Sequence, residues 1–318
     1  MYELYEDAAS FSLGGVTVYL YGLFLALGAA LMLVTLRLTG KKRGLPSGTA
    51  ALYGALAIPM ALLLARAVYC ALDTNFSVVA SLRAALLLNA GGYAMSGALA
   101  GAVLAALIAA KIQKTDVKTL LDALAPALLI FVLFERIGEG FTALGISRPL
   151  IYDTLKSTFL AQVDDYDAYL RTWLLEAAGA AVLAAVSLCM GKKEKRPGDT
   201  FLKTALLYCL AQVFFESLRY DQHLKYGFIG IQHILSMLCA ALIVIRFAVR
   251  ALKAGAKKPL PILSISILPV LVGLLVLLEF MIDRTSVNRF ILYAVYALLL
   301  AVPGALGFHL AAVKGEKV

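Results

Sequence analysis

The sequence predicts an all-α, polytopic helical membrane protein, and three observations carry the prediction. Of 318 residues, 62% are hydrophobic and 15% charged, whereas soluble domains hold about 25% charged residues. Nine apolar runs each approach the ~20 residues that cross a ~30 Å hydrocarbon core as a helix. The runs are continuous and lack the period-two alternation of a membrane barrel, so their backbone amides have to be satisfied within helices.

In chain order the expected spans are Val16–Leu36, Thr49–Leu72, Asn89–Ala110, Leu120–Gly140, Thr172–Met190, Phe201–Leu218, Ile229–Ala248, Leu260–Ile282 and Phe290–Val313. Basic residues orient them, because cytoplasmic loops retain Lys and Arg. Span 1 ends in Arg37, Lys41, Lys42 and Arg43; span 3 in Lys111, Lys114 and Lys118; span 5 in Lys192, Lys193, Lys195, Arg196 and Lys203. Span 7 is followed by Arg246, Arg250, Lys253, Lys257 and Lys258, and span 9 by Lys314 and Lys317, so that 19 of the 29 Lys and Arg fall on one side. The acidic N-terminal segment, with Glu3, Glu6 and Asp7, is expected outside and the C-terminus inside. That segment lacks the basic start of a cleavable signal peptide, so span 1 is expected to stay as a helix.

The net charge of +9 is spread through short juxtamembrane loops. It suits anionic lipid and argues against nucleic acid as a partner. No soluble domain is expected. Cys70, Cys189, Cys209 and Cys239 lie in or at the ends of spans without a paired spacing, and are expected as buried thiols. His223, His233 and His309 are scattered, which gives no metal site. Two irregular stretches remain, Asp73 to Leu88 and the loop 141–171, and a loop of about 30 residues is more often functional than a mere connector.

The informative residues are ionisable ones within spans, since a central Arg costs roughly 2.5–3.5 kcal/mol to insert. Arg66 on span 2, Glu135, Arg136 and Glu139 on span 4, Glu176 on span 5, and Glu216 with Arg219 on span 6 all fall in the outer half. Arg136 with Glu139, and Glu216 with Arg219, stand at i,i+3 and can pair on one helix face. Structural salt bridging is the plain reading of such pairs. Against it, each of these cations is Arg, the planar, bidentate partner of phosphate. A phospholipid head group is expected at this depth. Glu135 and Glu139, at i,i+4, form a possible proton donor or acceptor. In span 3, Gly97 and Gly101 give the small-xxx-small spacing of close helix packing.

Several segments resemble the prolipoprotein diacylglyceryl transferase family. Phe214-Phe215-Glu216-Ser217-Leu218-Arg219-Tyr220-Asp221, followed by Gly227, Gln232 and Ser236, is similar to its Phe-Phe-x-Glu-x-x-Arg-x-Asp segment, with one residue of that spacing closed up, and to the helix after it. Tyr21-Gly22-Leu23, Arg66 with Tyr69, Asp122 with Pro126, Arg136 with Gly138, and Glu176 match further family positions in order. The likeness covers Tyr21 to Arg246. Four positions depart: Ser96 stands where the family has His after the Gly-Gly pair matched by Gly91-Gly92, Glu135 and Glu139 replace Gly and Asn around Arg136, and Gln212 replaces an Arg.

The resemblance implies a seven-helix transferase core in residues 1–250, with residues 251–318 as two added spans. It implies a multi-pass protein of a bacterial cytoplasmic (inner) membrane whose active site faces outward. Its partners would be phosphatidylglycerol and the lipobox peptide of a preprolipoprotein, without metal or organic cofactor. Arg136, Arg219, Glu139, Glu216 and Ser96 are then the expected catalytic residues, with His223 competing as base. Tyr21, Arg66, Gly91, Gly92, Gly138 and Glu176 are expected to bind substrate, with the loop 141–171 as lid or peptide dock. Two other readings are an inactive homologue that binds phospholipid or lipoprotein precursors, and a transporter. Against the transporter, the sequence shows no repeated halves and its charges lie shallow.

Overall fold

The computed structural model describes residues 8–72, 92–164, 166–194, 196–221, 224–226 and 229–313. In order the elements are β1 (Ser10–Leu13), β2 (Val16–Tyr19), α1 (Leu20–Lys42), α2 (Thr49–Leu72), α3 (Met95–Gln113), α4 (Val117–Glu139), β3 (Ile146–Pro149), the one-turn α5 (Asp153–Lys156), β4 (Ala161–Val163) and β5 (Ala168–Arg171). There follow α6 (Thr172–Lys193), α7 (Asp199–Leu218), β6 (Lys225–Tyr226), β7 (Ile229–Gly230), α8 (Ile231–Lys253), α9 (Pro259–Arg284) and α10 (Arg289–Ala312). Among the described residues, every helix except α5 is 19 to 26 residues long and apolar enough to cross a membrane. The nine expected spans are therefore present, and the chain is a polytopic helical membrane protein.

Several stretches differ from the sequence reading: Ile229–Gly230, expected to begin span 7, is strand β7, and residues 92–94, expected within span 3, precede helix α3. Val16–Tyr19, expected to begin span 1, is strand β2, paired antiparallel with β1. Gly14 (φ +59°) and Gly15 (φ +84°) supply the two positive-φ positions of a tight hairpin turn, and the β-branched run Val16-Thr17-Val18 suits an extended backbone. The loop expected as irregular, 141–171, holds a three-stranded sheet in the order β3-β5-β4.

The chain divides into two compact units, residues 1–201 with 219–224, and residues 202–218 with 225–318. In the first, α1 and α6 pack along α4, while α2 packs on α3. Small residues let these backbones approach: a Cβ on Gly97 or Gly101 would strike α2 backbone at Leu64 and Met60, as the sequence spacing predicts. A Cβ on Gly28 would lie 2.9 Å from Phe134 Cβ, and one on Gly138 3.0 Å from the Tyr21 ring, which sets α1 close against α4. Thr39 Oγ1 adds a hydrogen bond to the Ala123 carbonyl (2.8 Å). Leu36, Tyr53, Ala105, Ala109, Leu120 and Leu124 form the core of this unit. At the start of α4, the buried Asp122 accepts from the Gly198 and Phe201 amides (2.8 Å each) and pairs with Arg43 Nη1 at 3.4 Å.

In the second unit, Leu206, Val244, Phe247 and Leu310 form one apolar cluster and Val213, Leu275, Ile282 and Tyr296 another. Tyr296 of α10 hydrogen-bonds His233 Nε2 of α8 at 2.8 Å, and Glu279 of α9 lies 3.8 Å from His233 Nδ1. Of the cysteines expected to be buried, Cys209 is; Cys70 is half-buried, and Cys189 and Cys239 lie on outward helix faces. In a spanning helix the outward face meets hydrocarbon, so an apolar thiol there incurs no penalty for exposure.

Candidate active site

The last turn of α4 carries Glu135, Arg136 and Glu139, whose spacing brings them to one face. Glu176 projects from the second turn of α6, which β5 feeds directly. Arg219 and Asp221 follow the end of α7, and backbone pairing with β3 places them: Ser147 and Arg219 form an antiparallel bridge, and the Tyr220 amide donates to the Ile146 carbonyl at 3.0 Å. The Gly145 amide donates to Asp221 Oδ2. Gly145 (φ +76°) and Gly140 are open to the Trp173 ring, which a Cβ at either position would hit.

Six charged side chains thus meet in the first unit, each nine-tenths or more buried: Arg136 (2% exposed), Glu176 (3%), Glu135 (5%), Glu139 and Asp221 (6% each) and Arg219 (8%). Arg136 Nη1 lies 2.7 Å from Glu139 Oε2, and its Nε lies 2.9 Å from Glu176 Oε2 and 3.3 Å from Glu135 Oε2. Arg219 Nη1 is 3.2 Å from both Glu139 Oε2 and Glu176 Oε1, while its Nη2 is 3.3 Å from Glu139 Oε1 and 2.6 Å from Asp221 Oδ2. Tyr21 of α1 donates its hydroxyl to Glu135 Oε1 at 3.5 Å. Two guanidiniums are therefore held by four carboxylates. An isolated buried charge would be prohibitive, so the cluster persists because every ion has a counter-ion at contact distance.

Of the residues singled out in the sequence, Tyr21, Arg136, Gly138, Glu139, Glu176 and Arg219 come together here. The Arg136–Glu139 pair forms as its spacing predicts. Arg219 lies past the last helical residue of α7, so the i,i+3 geometry anticipated with Glu216 does not extend to it. Glu216, in the second unit, accepts from Gln212 Nε2 at 3.2 Å. Arg66 donates to the Gly92 carbonyl (3.0 Å), with its guanidinium 5.9 Å from the Tyr69 ring centre. Gly92 adopts φ +76°, and a Cβ there would strike Tyr69 and Arg66, so Gly is required. Ser96 sits half-buried in the first turn of α3. Gly91 and His223 lie outside the described residues. Sequence reasoning missed the part played by Asp221. Its signal was the Arg-x-Asp spacing just past a helix end, where a short side chain can turn back on the same guanidinium.

The sequence profile of the prolipoprotein diacylglyceryl transferases matches residues 8–249. The chain belongs to that family. Among its relatives, the phosphatidylglycerol–prolipoprotein diacylglyceryl transferase of Bacillus licheniformis is 29% identical over 255 residues, covering 77% of this chain and 94% of that protein. The enzymes of the same name from Shouchella clausii and Halalkalibacterium halodurans are 27% and 26% identical, each covering 79% of its own length and 68% and 70% of this chain. The family match includes all six charged residues of the cluster and ends within α8, so α9 and α10 lie beyond it.

Proposed function

We propose that this chain transfers the diacylglyceryl group of phosphatidylglycerol to the lipobox cysteine of a prolipoprotein. Its membership of the family, together with names of relatives that state both substrates, supports this reading. One structural observation carries it to particular residues: two arginines from separate parts of the chain converge, buried, and share carboxylate partners.

In the reaction, the cysteine sulfur attacks the glyceryl carbon that bears the phosphate ester. The S–C bond forms, the C–O bond breaks, and glycerol phosphate leaves with the electron pair. Charge therefore grows on the phosphate oxygens, where bidentate guanidiniums in a water-poor site stabilise it best. We assign that role to Arg136 and Arg219. Glu176 bridges them, one oxygen to each, and fixes their separation. Tyr21 and Gly138 form the α1 side of the site, while Arg66 and Gly92 shape the segment leading into α3, with Ser96 offering a hydroxyl to the incoming sulfur. The thiol must also lose a proton. Glu139, Glu216 and His223 are the three candidates for that step, as the resemblance implies, and both oxygens of Glu139 are engaged by guanidinium N–H groups.

The cluster belongs to the outer half of an inner membrane, as the distribution of basic residues indicates. The first 250 residues form the transferase core and residues 251–318 an addition to it. The test is mass spectrometry of a lipobox peptide incubated with phosphatidylglycerol and the purified protein in detergent. A diacylglyceryl thioether on the cysteine, absent with Arg219→Ala, is the expected result. No product from a protein that binds the lipid would favour a binding homologue.

A further inference from the structure

The six-residue cluster is unbalanced: Arg136 and Arg219 face Glu135, Glu139, Glu176 and Asp221, an excess of two negative charges when all are ionised. An anionic phosphate added to this arrangement would be repelled. One carboxylate already does what a phosphate would do. Glu139 Oε2 lies against Arg136 Nη1 (2.7 Å) and Arg219 Nη1 (3.2 Å), and Oε1 lies against Arg219 Nη2 (3.3 Å), so one anion bridges both guanidiniums and engages Arg219 through two nitrogens.

Two of the other three acids have a further partner, and the third sits deepest. Glu135 receives the Tyr21 hydroxyl, and Asp221 receives the Gly145 amide from the sheet-bearing loop. Glu176, the least exposed carboxylate of the four, sits in the second turn of a spanning helix with one oxygen on each arginine. Glu139 is the last residue of α4 and stands between Gly138 and Gly140. Among the described residues, its side chain contacts only the two arginines. Placed at the helix end, it can withdraw by giving up only its bonds to the two arginines.

We propose that Glu139 occupies the seat of the donor's phosphate and acts as a built-in competitor that an incoming lipid phosphodiester displaces. The proposal rests on the transferase reading of the same site. Exchange of a carboxylate for a phosphodiester leaves the total charge unchanged, whereas addition without exchange raises the excess. Displacement is easier when Glu139 takes up a proton, because a neutral carboxyl releases its hold on both guanidiniums. The charged groups facing it are Arg136 and Glu135 on α4, Glu176 on α6, and Arg219 with Asp221 beyond α7. Binding of phosphatidylglycerol, itself a constant monoanion above acid pH, therefore strengthens as pH falls through the carboxylate's range. Glu139 is then a specificity-determining residue that makes the site selective against weakly bound anions.

The experiment measures phosphatidylglycerol binding to the full chain in nanodiscs of otherwise zwitterionic phosphatidylcholine, at several pH values, with inorganic phosphate as a second probe near neutral pH. The wild type is expected to bind phosphatidylglycerol more tightly toward acid pH, and Glu139→Gln to bind it about tenfold more tightly near neutral pH, with the pH dependence flattened. Inorganic phosphate binding should rise in the same variant if the seat recognises phosphate alone, and stay absent if it needs the lipid; either result supports a phosphate seat once phosphatidylglycerol binding has risen. Unchanged or weaker lipid binding in a folded Glu139→Gln protein overturns the proposal. Should that variant not fold, pH-independent binding by the wild type overturns it equally. With a lipobox peptide added to the same nanodiscs, thioether formation by the wild type is read alongside: tighter binding in the variant without wild-type product refutes the transfer reading and leaves the seat standing, and wild-type product with unaltered binding does the reverse.

Discussion

The two ends of α4 each bury ions, in opposite ways. At its start, Asp122 accepts from two backbone amides and one arginine, Arg43, which is itself partly exposed. At its end, Arg136 pairs with side-chain carboxylates of α4 and α6, and Arg219 from the segment after α7 shares two of them. Backbone amides cannot leave without unfolding a turn, so the first group is a fixed joint between α4 and the start of α7. Side-chain carboxylates can rotate away, so the second group can exchange partners for a ligand. Buried charge alone does not mark a functional site; what holds the charge does.

The comparison is tested first by Arg219→Ala, which should lower turnover by about 10²–10³-fold, the cost typical of losing one transition-state donor. Because it strands Asp221 and takes one of two counter-ions from Glu139 and Glu176, it should also destabilise by about 3–5 kcal/mol. Adding Glu139→Gln should recover much of the thermal stability in detergent and none of the thioether product. Asp122→Ala is expected to reverse this profile, with a loss of about 2–3 kcal/mol from two orphaned amides and an unpaired Arg43, and with turnover of the folded fraction unaltered. Unfolding curves and product mass spectra from the same preparations distinguish the two, and a strong drop in kcat for Asp122→Ala would break the contrast. Gly101→Val should cost about 1–3 kcal/mol through overlap with the α2 backbone, without changing affinity for the lipid.

The smallest effect lies just outside the membrane. Asp116 caps α4 by accepting from the Thr119 amide (3.0 Å) and hydroxyl (2.7 Å), and the Thr119 hydroxyl bond is the chief cause holding its carboxyl below the ordinary range. A depressed carboxylate contributes stability that is present above its ordinary value and lost as pH falls through the depressed one. Asp116→Ala should therefore cost about 1 kcal/mol near neutral pH and converge on the wild type in acid, as thermal melts at a series of pH values would record.

Hydropathy made the spans legible to within a few residues, as at Thr49–Leu72, because a helix in hydrocarbon has no other way to satisfy its amides. It misread Val16–Tyr19, where Val-Thr-Val-Tyr is equally apolar as strand or helix and the deciding feature is the Gly14-Gly15 turn beside it. Within the site, Arg136–Glu139 was readable because both lie on one helix. Asp221 had only the Arg-x-Asp spacing to mark it, because its place depends on pairing between residues 145–147 and 219–221, a long-range contact that no local period encodes. The bond between His233 and Tyr296 escaped notice for the same reason, as their helices are far apart in sequence.

That pairing of β3 with the residues after α7 also makes the loop a mechanical element. Arg219 is not carried by a rigid helix. Its backbone is stitched to Ser147 and, one residue on, to Ile146, and Asp221 to Gly145, on a sheet whose outer strand β4 ends in the exposed Val163. A load applied to the sheet is transmitted through three consecutive residues to a guanidinium. The leverage runs both ways: an anion that draws Arg219 inward would tug the sheet after it, so a protease or a spin label on residues 159–163 could register occupancy of a site buried beneath.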